Sequence, residues 1–186
     1  MHERLDTSLT NLIVSAEESE AIAACLERLM DETGASHIML LDRAGQIIAW
    51  QGGDQRLQEM MHLGALLAGA YATSREMARL LKEDSFRVLV QEGMREKIFT
   101  ETVEDRWLLV VVFDHQAHLG LVKVLAKRAT QSLAAILHTV IEQNDYRRAQ
   151  FRGQVRKAAV DTIDLLFSDD PAADPGPTTE KKPWPS

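Results

Sequence analysis

Apolar residues recur along this chain in two rhythms, one near 3.6 residues and one near 2, and their succession predicts eight elements. Ser15 is a good N-cap, and Glu18 three residues later completes a capping box. Ile22, Cys25, Leu26, Leu29 and Met30 follow at helical spacing, and Gly34 closes that first helix. Ahead of it, Leu9, Leu12, Ile13 and Val14 are expected to pack on the body as an extended arm. Two short apolar runs come next, one over residues 37–41 and one over residues 47–50. Asp42, Arg43, Ala44 and Gly45 lie between them, which predicts a β-hairpin stopped at Gly52 and Gly53.

From 57 to 82 the rhythm is helical again, carried by Leu57, Met60, Met61, Gly64, Leu67, Ala68 and Tyr71. Three strands are predicted at 86–91, 97–103 and 107–113. The third is apolar at every position, as a strand covered on both faces and therefore central would be. Short connectors make the three an antiparallel meander. A last helix starts near Leu119, with Val122, Leu125, Ala129, Leu133, Ile136, Leu137 and Val140 along one stripe. The order α-β-β-α-β-β-β-α is satisfied by an α/β (α+β) fold, a five-stranded antiparallel sheet with helices on both faces.

After Ile141 the composition changes. Arg147, Arg148, Arg152, Arg156 and Lys157 crowd a stretch without acids, read as a basic linker that is a solvated, frayed extension of the last helix. Val160, Ile163, Leu166 and Phe167 then mark a short amphipathic helix suited to docking in a groove. The remainder is rich in Pro and Asp and is expected to be disordered. The expected division is an arm (1–14), a folded domain (15–145), the linker with its short helix (146–168) and a tail (169–186).

Charge and chemistry narrow the function. The net charge of −7 argues against a nucleic-acid partner held by bulk charge. No run approaches the ~18 apolar residues of a span, so no membrane insertion is expected. The N-terminus has no apolar signal core, and a single cysteine, Cys25, leaves no internal disulfide; both suit the cytoplasm. Cys25 sits on the apolar stripe of the first helix and is expected in the core. His115 and His118 are three apart but lie in a connection without other ligands nearby, so no metal is expected. There is no GxSxG elbow and no GxxxxGK[ST] loop. The expectation is a protein that is not an enzyme, with no cofactor.

Several stretches in order resemble the Roadblock/dynein light chain family, in particular its bacterial MglB-like branch. They are Thr33-Gly34-Ala35 leading into residues 40–46; Leu66-Leu67-Ala68-Gly69 followed by Ala72; Leu80-Leu81 before Phe86; residues 109–114 running into 119–123; and Lys127-Arg128-Ala129. The resemblance covers roughly residues 17 to 140. It implies a homodimer whose sheets join edge to edge, with the two second helices side by side on one face. It also implies a small Ras-like GTPase (MglA-like) as partner. MglB-like members act as GTPase-activating proteins that reposition the GTPase's own residues, and their C-terminal segment can contact it.

Small residues let a helix be approached closely, and Gly64, Ala65, Ala68, Gly69 and Ala72 are concentrated on the second helix. With Arg75 and Glu76 just beyond, they form the candidate partner-binding surface. Phe86, Val88 and Val90, together with Ala68 and Tyr71, are the candidate dimer interface, because an edge strand needs a partner for its backbone. Val160, Ile163, Leu166 and Phe167 are the candidate C-terminal docking residues. The expected function is regulation of a Ras-like GTPase in polarity or motility; the alternative is a non-catalytic dimeric adaptor.

Overall fold

A computed structural model describes residues 14–53 and 56–167, with side chains described through residue 163. The elements run α1 (Ala16–Thr33), β1 (His37–Asp42), β2 (Ile47–Gly52), α2 (Leu57–Leu80), β3 (Val88–Glu92), β4 (Glu96–Val103), β5 (Trp107–Asp114) and α3 (Leu119–Phe167). The predicted order and type of all eight therefore hold. The expected arm before Val14 and the tail from Ser168 lie outside the described residues.

Local chemistry sets the ends. The Ser15 backbone N–H donates to Glu18 Oε2 at 2.8 Å, and the Glu18 N–H donates to Ser15 Oγ at 3.2 Å, closing the capping box. Gly34 takes φ 67° and its N–H donates to the Met30 carbonyl at 2.8 Å, so α1 stops there. In the β1–β2 turn, Asp42 Oδ1 accepts from the Ala44 and Gln46 N–H groups at 2.9 and 2.8 Å, the local bonding that favours Asp in turns. α2 ends two residues earlier than its rhythm predicts. Lys82 turns left-handed at φ 60°, and the Glu83 N–H closes back on the Ala78 carbonyl at 2.9 Å.

The sheet order is β2-β1-β5-β4-β3, antiparallel throughout. The wholly apolar strand β5 is central, as its sequence predicts. One face is covered by α1 and α3. Ile22, Leu26 and Leu29 of α1 and Val122, Leu125, Ala126, Leu133 and Leu137 of α3 pack on Ile38, Leu40, Phe99, Leu109, Val111 and Phe113. The other face receives α2, whose Met60, Leu67 and Tyr71 pack on Met39, Leu41, Leu108, Val110 and Val112.

The chain divides after Asn144 into two units. The first holds the sheet and its covering helices. In the second, residues 145–163 are helical and every side chain is exposed. The basic stretch is thus a solvated extension of the last helix, as expected, and the boundary before a separate short helix at 160–167 is absent: α3 is unbroken over 49 residues to Phe167. Arg, Gln, Ala and Lys are all good helix formers, and a single Gly153 costs only about 1 kcal/mol, so the end of the apolar stripe does not end the helix.

Candidate partner-binding platform and edge strand

β3 lies at one edge of the sheet. It begins at Val88, so Phe86 precedes the strand instead of opening it, although the Arg87 carbonyl still accepts the Thr102 N–H at 3.0 Å. At the other end the Gly93 N–H donates to the Glu96 carbonyl at 3.0 Å. Backbone bonding alternates along an antiparallel strand, so odd-numbered residues from 87 to 93 face β4. Val88, Val90 and Glu92 therefore direct their N–H and C=O groups away from the sheet. Their partners are not supplied by any strand among the described residues. Val90 also packs against the core on the α1/α3 face, while Val88 is exposed.

The small residues of α2 divide into two sets. Gly64, Ala68 and Tyr71 turn inward and are buried. Ala65, Gly69, Ala72 and Glu76 are exposed, and Arg75 is half-buried. Gly64 meets the hairpin turn. A Cβ on it would stand 2.9 Å from the Gly45 carbonyl oxygen, and one on Gly45 would stand 2.7 Å from Ala65 Cα. Gly45 also sits at φ 84°, a conformation that suits glycine. The helix and the turn thus touch backbone to backbone. Beside the exposed small set stand Leu66, Met77, Leu80 and Leu81, all exposed, Leu80 by 84%.

Between α2 and the β3–β4 hairpin runs an open groove of about 800 Å³. Its floor is Met60, Leu63, Leu67, Ile98 and Val112. Arg56 closes one end, bonding Glu59 at 2.8 Å on its own helix and Glu96 at 3.0 Å on β4. Those pairs are exposed and tie the helix start to the hairpin weakly. Sequence reasoning does not reach this groove, since its walls come from segments some 40 residues apart; in the Arg56–Glu96 contact the separation is 40.

Behind the groove, on the same sheet face, His37 is buried and stacks on Trp50 with ring centroids 6.2 Å apart. Burial first, and then the Arg56 charge, hold its pKa below the ordinary 6.5. On the opposite face Glu101 is buried, and that burial raises its carboxyl pKa, opposed by Arg87 and Lys127. Cys25 is half-buried instead of fully enclosed. Its Sγ lies 3.9 Å from the Ala129 carbonyl, and burial pushes the thiol pKa up, keeping it protonated and unreactive. His115 and His118 are exposed in the β5–α3 connection. Val160 and Ile163 are exposed on α3, and the side chains of Leu166 and Phe167 lie outside the described residues.

A sheet of this order, flanked by two helices on one face and one on the other, with a free edge at β3, is the architecture of a Roadblock-type protein. The Roadblock/LC7 domain family model matches residues 21–113, and the chain belongs to that family. Among solved structures it is similar to MglB of Myxococcus xanthus, at 32% identity over 69% of this chain and 96% of that one, with a TM-score of 0.64. It is also similar to the gliding protein MglB of Thermus thermophilus, at 34% identity over 68% of this chain and 95% of that one, TM-score 0.63. A further MglB, described as having a tetrameric arrangement, matches at 32% identity over 70% and 97%, TM-score 0.64. No curated protein matches.

Proposed function

We propose that this protein is a homodimer that docks a small Ras-like GTPase of the MglA type and accelerates its hydrolysis of GTP. The observation that carries the reading is the pairing, on one half of the molecule, of a free strand edge with a helix that exposes small residues at Ala65, Gly69 and Ala72. Val88, Val90 and Glu92 offer backbone groups to a second copy, continuing the sheet. The groove beside α2 then receives the second copy's α2, covering Leu63, Leu66 and Ala70. Ala65, Gly69 and Ala72 form the surface that the GTPase's switch regions approach, with Arg75 and Glu76 at its border. Similarity to MglB, at 32–34% identity, supports this choice of partner and a place in gliding motility.

Phosphoryl transfer is limited by positioning and charge stabilisation, so a partner that holds the switch regions in a reactive geometry accelerates it without donating a chemical group. No residue of this chain is assigned a chemical step. Val160, Ile163, Leu166 and Phe167 dock against the same GTPase from the C-terminal segment. The setting is cytoplasmic; among the described residues no helix is long and apolar enough to cross a membrane.

A second reading, a dimeric adaptor that binds without changing the hydrolysis rate, draws on the large exposed side chains of α2, Leu66, Met77 and Leu80, and on Leu81 just after it. Such a patch suits a lasting assembly as well as a transient docking. The deciding experiment measures GTP hydrolysis by a cognate MglA-like GTPase with and without this protein, with complex mass recorded in the same samples. Acceleration with a complex supports activation; a complex without acceleration identifies the adaptor; no complex overturns both.

A further inference from the structure

The second unit carries an exposed basic surface that neither the dimer nor the GTPase platform uses. Its residues are helical, and at 100° per residue Arg148, Phe151, Arg152, Val155 and Arg156 fall within an arc of about 140°. Phe151 is 66% exposed and Val155 is 51% exposed. Arg148, Arg152 and Arg156 repeat at i, i+4 and i+8, a spacing at which like charges repel along a helix. No acid stands three or four residues from Arg152 or Arg156. Among the described residues, none of the three arginines makes an ion pair. Read as sequence, this stretch is a solvated, frayed extension of the last helix. As a helix it gathers three cations and two large apolar side chains on one side.

We propose that this face of α3 is a peripheral membrane-binding surface that lies on anionic phospholipid. Charge complementarity selects an anionic partner, since the arc from Arg148 to Arg156 carries three cations and no acid. Phe151 and Val155 select a membrane among anionic partners. Apolar side chains gain by entering the acyl boundary beside the headgroups, whereas they gain little on the phosphate backbone of a nucleic acid. Arginine stems lie along the boundary while their guanidinium groups reach the phosphates. Nothing crosses the bilayer; the helix lies in the interface plane. The proposal goes beyond the GTPase reading and does not depend on it.

The test is flotation of the full-length protein with phosphatidylcholine vesicles and with vesicles of phosphatidylcholine mixed with phosphatidylglycerol, at low and high salt. The protein is expected to float with the anionic vesicles only, and to release as salt rises. Arg148→Glu/Arg152→Glu/Arg156→Glu is expected to bind roughly tenfold weaker or worse. Phe151→Ser/Val155→Ser, which leaves the charge unchanged, is expected to reduce binding while keeping the salt dependence. Helix content and an unchanged urea midpoint for each variant show that the first unit is intact. Failure to float with anionic vesicles overturns the proposal. So does flotation that survives charge reversal, or loss of binding with charge reversal alone while the serine variant binds as before, which would mark a surface read by any polyanion.

Discussion

The two faces of the sheet are built to different specifications. On the α1/α3 face, two helices leave Ile38, Leu40, Phe99, Leu109, Val111 and Phe113 essentially inaccessible. The α2 face has one helix, which covers Met39, Leu41, Leu108 and Val110 and leaves an open groove over Ile98 beside the β3 edge. Close packing on the first face contributes stability. Incomplete covering on the second leaves apolar surface and backbone hydrogen-bonding groups for another chain. The same strands serve both, because alternate residues of β4 and β5 point to opposite faces.

That contrast breaks most visibly where packing is complete. Phe99→Ala is expected to cost about 3–5 kcal/mol, read as a fall in the urea midpoint, because the cavity opens in a layer closed from both sides. A loss near zero would mean that the α1/α3 face is not the stabilising one. Gly64→Ala tests the half-covered face. Alanine is the better helix former by about 1 kcal/mol, yet a Cβ 2.9 Å from the Gly45 oxygen forces the helix and turn apart. Net destabilisation of about 1–3 kcal/mol is expected, and a rise in melting temperature would disprove the close contact.

Substitutions on the open half should spare the fold. Val88→Pro removes an N–H that points away from β4, so intramolecular pairing is retained while the continued sheet is lost. The mass in solution should fall from dimer to monomer with the circular dichroism spectrum unchanged. Ala72→Arg is expected to change stability by no more than about 0.5 kcal/mol and to abolish capture of the GTPase. Unchanged capture would remove α2 from the platform.

The smallest effects come from the two buried titratable groups, and their signs oppose. His37 has a folded pKa below 6.5, so the unfolded chain binds the proton more readily, and stability present above pH 6.5 is lost as pH falls below it. Glu101 has a folded pKa above 4.5, so the folded chain holds the proton more readily. Stability is then lost as pH rises from 4.5 through the raised value. Glu101→Gln should raise the melting temperature at pH 7, and the gain should vanish below pH 4.5. An equal gain at both pH values would mean that the carboxylate charge is not the cause.

Much of this fold was legible because burial writes itself into spacing. The capping box at Ser15 and Glu18, the left-handed Gly34 and the apolar β5 each carried one local cause to one local structure. The basic stretch was legible as a solvated extension of the last helix, but the separate short helix expected after it was not borne out, for a physical reason. An apolar stripe reports which helix face is buried, not whether a segment is helical, and the arginines, glutamines, alanines and lysine of 147–159 favour a helix without a buried face. The candidate platform was partly legible: the small residues of α2 announced themselves, but which turned inward did not. Gly64 and Ala65 are neighbours in sequence and differ only in the direction the helix gives them. The groove, with walls from distant segments, had no signature in the sequence.

The contact between Gly45 and Gly64 has a consequence for how this surface can vary. With no side chain at either position, the spacing of helix and turn has no adjustable part, and it behaves as a mechanical stop. Enlarging either residue lifts the start of α2, which also forms one wall of the groove. A tolerance of tenths of an ångström in the hairpin turn therefore becomes the tolerance of that groove wall. Changes in what this protein binds are easier to make on the exposed side of α2, at Ala65, Gly69 or Ala72, than by any alteration beneath it.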